Sequence, residues 1–376
     1  MASVANSPKP IMIFHVPFAL NPDSASASGI RPVKMRRAFE DAGYLVLEIS
    51  GNHEQRRGQI KELRRRIRAG LRPDFVYSES ATNPTGLGEK VTRHTSWARD
   101  IRFLQFCRRK GIPVGLFYRD IYWAFPEFGQ ALSRLTLTLM MWRYRADLRG
   151  YSTGVDVLFV PSIGMTDFIP IQNKYAYYPL PSGTERVLTG NSGKGVGVLY
   201  VGGIGEHYRM HEAFRGTRIA AAGGADVRFR VCTRKQEWVG ARENYEPLRG
   251  TSISVAHASG QELECLFAES NVGSLFVEPS LYRDFAVPMK LYDYIGHGMP
   301  VIASEGTLVG QVVREWNIGW TIPYNAEAWS DLIHRLDDDP LELEVKRRSV
   351  LKISPEQTWL ARAREVAEVL GNVSLR

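Results

Sequence analysis

The stretch spanning residues 284–304, DFAVPMKLYDYIGHGMPVIAS, leaves few choices of fold. Pro288 suits the first turn of a helix, where a missing N–H costs nothing. Gly296 and Gly298 suit the end of that helix and the reversal into a strand. Residues 299–303 are short, apolar and β-branched at Val301 and Ile302, as a buried parallel strand requires. Within the helix, Lys290, Asp293 and His297 fall at i, i+3 and i+7 and share a face, while Leu291 and Ile295 lie on another. A cation, a carboxylate and the His297 imidazole in a row beside helix N-terminal amides suit a nucleotide diphosphate: the amides and Lys290 take the phosphates, and Asp293 takes ribose hydroxyls. The plain alternative is a helix-to-strand junction with surface charges.

The pattern Pro288-x-Lys290-x-x-Asp293-Tyr294-x-x-x-Gly298-x-Pro300-Val301-Ile302-Ala303 resembles the donor-binding segment of nucleotide-sugar-dependent glycosyltransferases of the GT-B fold, in particular the C-terminal domains of glycosyltransferase families 1 and 4. The resemblance implies an α/β chain of two facing Rossmann-like, doubly wound domains with a cleft between them. In that family the Lys meets the donor diphosphate and an acidic residue, usually Glu, holds the ribose. Asp293 stands there, one methylene shorter. Many retaining members carry a second Glu eight residues earlier. Here that position is Phe285, flanked by Asp284, so the retaining signature is incomplete and inversion is favoured.

A chain of 376 residues exceeds one ordinary core and fits two domains. Pro179-Leu180-Pro181-Ser182-Gly183 reads as the linker, giving domains at 1–180 and 181–355. The resemblance adds that the helix within 356–376 crosses back to the first domain. Hydrophobic content of 44% with 23% charge describes a globular chain. The three cysteines are scattered without metal or redox spacing, which points to a reducing compartment. The apolar run 11–20 is a first strand rather than a signal peptide. No run reaches the roughly 20 apolar residues of a membrane span. Charge is uneven: residues 1–180 hold 26 Lys/Arg against 15 Asp/Glu, and residues 181–376 hold 22 against 25. The basic half suits an anionic acceptor or membrane surface; no nucleic-acid motif accompanies it.

Along the first half, strands are expected at 11–16, 44–49, 75–78, 113–118 and 155–160, and helices at 31–42, 54–69 and 97–110. Strand, small-residue loop, helix, strand is the opening of a doubly wound domain, with ligands at the carboxyl edge of the sheet. His15 ends the first strand, facing either the cleft or the core. The helix at 54–69 is arginine-rich, with a narrow apolar side at Ile60, Leu63 and Ile67. The fourth strand delivers Arg119-Asp120-Ile121-Tyr122-Trp123. In GT-B enzymes the loop there faces the reacting sugar, so the resemblance points to Asp120 as base and Arg119 as an acceptor-side residue. A carboxylate in a desolvated cleft can accept a hydroxyl proton. The alternative is an Arg119–Asp120 pair that caps the next helix. Residues 132–144, LSRLTLTLMMWRY with flanking arginines, suit either a membrane-interface helix or a core-facing one.

In the second half, the strand 196–201 ends in Gly202-Gly203-Ile204-Gly205-Glu206, after a turn at 191–195. This matches neither the dinucleotide fingerprint nor a P-loop, so NAD and ATP are not indicated. It resembles the glycine turn of GT-B enzymes, where backbone approaches the diphosphate. Further strands are expected at 227–232, 252–256 and 272–276. Arg234 would add to phosphate binding. The loop at His257 is where the resemblance places the nucleotide base, and Glu278 opens the sugar-facing loop. No metal-ligand pattern appears, and the donor is a substrate, so no cofactor is expected. The expected activity is transfer of a sugar from a nucleoside-diphosphate sugar to a hydroxyl of a glycan, lipid-linked or small-molecule acceptor. The setting is cytoplasmic, at the inner face of the membrane if the basic half touches lipid. Its rivals are a nucleotide-sugar 2-epimerase of the same fold and a non-catalytic nucleotide-sugar-binding subunit.

Overall fold

The computed structural model describes residues 9–24, 26–85, 98–125, 128–129, 132–171, 176–187, 195–205 and 208–374. The expected turn at 191–194, Glu206 and the helix start at Trp97 lie outside the described residues. The chain divides into two compact units, Met1–Ser182 with Trp359–Arg376, and Gly183–Thr358.

Unit 1 runs β1 (Ile11–His15), α1 (Ala27–Asp41), β2 (Leu45–Ile49), α2 (His53–Arg68), β3 (Phe75–Glu79), α3 (Ala98–Arg109), β4 (Val114–Phe117), α4 (Arg134–Gly154), β5 (Val157–Val160) and β6 (Ala176–Pro179). Its sheet has the order β2-β1-β3-β4-β5-β6, and every pairing is parallel. The chain steps outward from β1 to β2 and then returns to β3 on the other side. The switch point therefore lies between β1 and β3, where the loops at the carboxyl ends diverge and leave a crevice.

Four local departures from expectation have physical causes. Helix α1 starts four residues early because Ser26 caps it, its hydroxyl accepting the amide of Gly29 at 3.3 Å. Pro32 then sits inside the helix and has no N–H for the carbonyl of Ser28, which accepts the Arg119 guanidinium instead. Helix α2 buries Ile60, Leu63 and Ile67 as expected, but also Arg56, whose Nε donates to Asp100 at 3.1 Å. Strand β6 was not expected; it is an edge strand, where Pro179 is tolerated. In α4 the two readings divide along the helix. Tyr144, Leu148 and Tyr151 are buried, whereas Leu135 is 82% exposed and Leu139 and Trp142 are each 52% exposed.

Unit 2 runs β7 (Val196–Val201), α5 (His211–Ala222), β8 (Val227–Cys232), α6 (Lys235–Tyr245), β9 (Ile253–Ala256), α7 (Gln261–Ala268), β10 (Val272–Leu275), α8 (Met289–Gly296), β11 (Val301–Ser304), α9 (Leu308–Glu315), β12 (Gly319–Ile322), α10 (Ala326–Asp338) and α11 (Pro340–Ile353). Its sheet, β12-β11-β10-β7-β8-β9, is again parallel throughout. The switch point falls between β7 and β10. Pro288 is the N-cap of α8, Gly298 turns the chain with φ of 70°, and β11 follows. After a 3-10 turn at Ser354–Gln357, the last helix α12 (Trp359–Ser374) belongs to unit 1. There it packs on α1, β3 and β4 and buries Ala363, Val366 and Leu370.

Candidate active site

The β7/β10 switch point of unit 2 gathers a compact cationic cluster. Gly202 follows strand β7 directly, and the second residue of α8, Lys290, reaches across to it. A Cβ on Gly202 would lie 2.0 Å from Lys290 Nζ, and the residue holds φ of +141°, so only glycine admits the lysine there. Lys290 Nζ donates to the Tyr200 hydroxyl at 3.1 Å and lies 4.6 Å and 4.4 Å from the ring centres of Tyr200 and Tyr208. The Arg283 guanidinium, 7% exposed as a residue, lies 4.5 Å from the same Tyr208 ring. Two cations thus lie against one aromatic ring, an arrangement worth most when desolvated. Burial, and then the charge of Arg283, push the Lys290 ammonium down to about 7. Among the described residues no side chain caps the N-terminus of α8. A half-buried amine beside uncapped amides and a glycine turn suits a diphosphate.

Tyr294 anchors this arrangement. Its buried hydroxyl accepts the amide of Val201 at 3.1 Å and faces the carbonyl of Ser274 at 3.3 Å, which ties α8 to β7 and β10 at once.

The other donor-side residues spread around this centre. A Cβ on Gly203 would come within 3.0 Å of Glu237 Oε2, and Glu237 pairs with Arg234 at 2.7 Å. Asp293 is half-buried on the next turn of α8. His257 is exposed and its Nδ1 lies 2.8 Å from the carbonyl of Thr233. Glu278 pairs with Arg209 at 3.1 Å. His297, expected on the Lys290 face, turns to α7 instead: its ring stacks on Phe267 at 3.7 Å and its Nε2 lies 3.0 Å from Glu264. Sequence reading missed Tyr200, Tyr208 and Glu237, and did not assign Arg283 a role. Only Arg283 left a signal, a cation just ahead of Lys290 in the loop after β10.

In unit 1, His15 faces the interior. Its ring lies 2.8 Å from Ser78 Oγ and 3.0 Å from Asp100 Oδ1, and His15, Ser78 and Asp100 are 2%, 1% and 4% exposed. Burial by itself would raise Asp100, but His15 and Arg56 outweigh it and bring the carboxyl down to about 2. All three side chains of this serine–histidine–aspartate contact are buried among the described residues. Arg119 pairs with Glu79 at 3.2 Å. Asp120 is half-exposed and accepts the Tyr122 amide at 2.9 Å, which fixes the turn after β4. Ile121 and Trp123 point inward, with Trp123 stacked on Tyr144 at 4.8 Å.

No protein-family model matches the chain, and neither does any curated protein sequence. Solved structures do match. HepE of Anabaena, solved with UDP and glucose, superposes with a TM-score of 0.61 at 11% identity over 97% of this chain and 100% of its own. A glycosyltransferase from Rickettsia africae gives 0.62 at 12% identity over 98% and 99%. A putative UDP-N-acetylglucosamine 2-epimerase from Listeria monocytogenes gives 0.52 at 11% over 98% of each. At such identities it is the fold that is shared. Two Rossmann-like units on one polypeptide, built on two six-stranded parallel sheets, make this a protein of the GT-B fold.

Proposed function

We propose that the protein is a nucleotide-sugar-dependent glycosyltransferase that moves a sugar to a hydroxyl of a glycan, lipid-linked or small-molecule acceptor. The observation that carries this reading is Lys290, desolvated against Tyr200 and Tyr208 in the space left by Gly202. Unit 2 would hold the donor. Lys290, the Gly202-Gly203 turn and the α8 amides would stabilise the nucleoside diphosphate as it leaves. Arg234 and Asp293 would flank the phosphates and ribose, His257 the base, and Glu278 the sugar. Unit 1 would hold the acceptor, with Asp120 taking the hydroxyl proton in an inverting transfer that uses neither metal nor cofactor. HepE is solved with UDP and with UDP-glucose, which supports a nucleotide sugar as donor.

The epimerase reading has one support, the Listeria structure of the same fold. Product analysis with a panel of nucleoside-diphosphate sugars separates the readings. A transferase releases nucleoside diphosphate and forms a glycoside with an acceptor. An epimerase alters the sugar without one, and a binding subunit turns over nothing. No turnover with any donor and acceptor pair removes the transferase reading.

The same proposal places the chain at the cytoplasmic face of a membrane. No described helix is long and apolar enough to cross one. The first turns of α4 nevertheless present Leu135, Leu139 and Trp142 to the surface, with Arg134, Arg145 and Arg149 exposed beside them. Apolar residues rimmed by arginine suit an anionic lipid interface, each cation adding about 1 kcal/mol near the surface. The protein is expected to sediment with phosphatidylglycerol vesicles, to be released by salt, and to lose most binding in Leu135→Ser/Leu139→Ser. Equal partitioning to neutral and anionic vesicles, or no effect of the double substitution, rules the contact out.

A further inference from the structure

A cavity of about 570 Å³ opens at the β1/β3 switch point of unit 1. Its walls come from the loops after β1, β2 and β3, and Arg119, just after β4, lines it. The polar lining includes Ser26 and Ser28 at the start of α1, Asn52 at the start of α2, and Thr82 and Asn83; among the described residues no acidic one lines it.

Arg119 is only partly satisfied. Its Nε donates to the carbonyl of Ser80 at 3.2 Å, Nη1 donates to the carbonyl of Ser28, and Nη2 donates to Glu79 at 3.2 Å. A guanidinium carries five N–H donors, so two are left without a partner among the described residues. The charge is also only partly met. Glu79 is 0% exposed and serves two arginines, because Arg31 Nε lies 3.4 Å from its other oxygen, where the Tyr77 hydroxyl also donates at 3.0 Å. One buried carboxylate therefore faces two guanidinium groups. Asp120 acts on Arg119 more weakly than Glu79 does. Arg31 is turned away, its guanidinium 3.6 Å over the Phe117 ring and its Nη1 on the carbonyl of Pro181. Two guanidinium groups thus share one carboxylate, and Arg119 is the one of them that lines the cavity. The hydroxyls at the start of α1 and the positive end of that helix act in the same direction.

We propose that this cavity seats an anionic group, phosphate or carboxylate, carried by a small polyhydroxylated molecule, and that this molecule is the acceptor; the second clause rests on the transferase reading. The volume suits one sugar-sized molecule rather than a chain. The anion would meet the two remaining N–H groups of Arg119 in the bidentate geometry that guanidinium favours.

The test is calorimetric binding to the full chain without donor. The probes are inorganic phosphate, a hexose 6-phosphate, the corresponding hexuronate and the uncharged hexose. The charged hexoses are expected to bind at least about tenfold more tightly than the uncharged one, the worth of one charge-assisted contact. Arg119→Gln should erase that preference. Its fold should persist, because Glu79 keeps Arg31 and Tyr77. Asn83→Asp, at an exposed lining position, should weaken the anions and leave the uncharged hexose unchanged. Equal binding of charged and uncharged hexose overturns the proposal, as does binding of no anion. So does anion binding that survives both substitutions in proteins that melt like wild type. A hexose phosphate that binds tightly yet receives no sugar leaves the anion site standing and removes the acceptor clause.

Discussion

Asp120→Asn is expected to lower turnover by about a hundred- to ten-thousandfold, the usual contribution of a positioned base, with donor affinity unchanged. Asp120 lies where β4 delivers its polar residues, half-exposed, with Oδ1 held by the Tyr122 amide at 2.9 Å. Asparagine keeps an oxygen for that amide, so the turn should survive while the ability to take a proton is lost. The competing reading, a structural Arg119–Asp120 pair, predicts the opposite. Arg119 is held by Glu79, so neutralising Asp120 should cost the fold little. Steady-state rates with thermal melting decide between them. Near-normal turnover with a lowered melting temperature removes the base, and so does a product that retains the donor's anomeric configuration.

Lys290→Ala is expected to weaken nucleoside diphosphate binding by about ten- to a hundredfold, the loss of one charge-assisted contact in a desolvated site. Unchanged affinity for every nucleoside diphosphate, with the fold intact, would remove the assignment. The lysine also makes binding pH-dependent with a defined sign. Held at about 7 in the free protein, its amine is mostly neutral above that pH. A bound diphosphate favours the ammonium, so binding takes up a proton. Affinity should fall as pH rises through about 7, by at most roughly tenfold per unit. Calorimetry in buffers of different ionisation enthalpy reads this uptake, which should vanish in Lys290→Ala. In the free protein the linkage has the reverse sense. Between about 7 and the ordinary lysine value of 10.5 the unfolded chain binds more protons, so this group makes the fold more stable as pH rises across that window.

Most of the fold was legible because its signals are local. The strands 196–201 and 227–232 coincide with β7 and β8, since buried parallel strands read as short apolar runs bounded by turn residues. The junction of α8 and β11 was written in Pro288, Gly298, Val301 and Ile302. Boundaries failed where a local device was overlooked. The Ser26 cap starts α1 early, and β6 is paired on one side only, so its half-buried residues carry no continuous apolar run.

The site was legible in part. Helical spacing put Lys290 and His297 on one face, yet their partners belong to different elements, Tyr200 of β7 and Glu264 of α7. His15 stood at a strand's carboxyl end in the sequence, and only the fold decided that Ser78 and Asp100, 63 and 85 residues away, would enclose it. Likewise Tyr200 lies 90 residues from Lys290. By itself, the sequence determined where helices, strands and tight turns fall and which side chains share a face, because these follow from backbone sterics and hydrophobic period over a few residues. The tertiary structure decided which groups meet, which charges lose water, and how far Lys290 is driven from its ordinary value. Desolvation and long-range pairing depend on every element packed around a side chain, and no spacing within one segment encodes them.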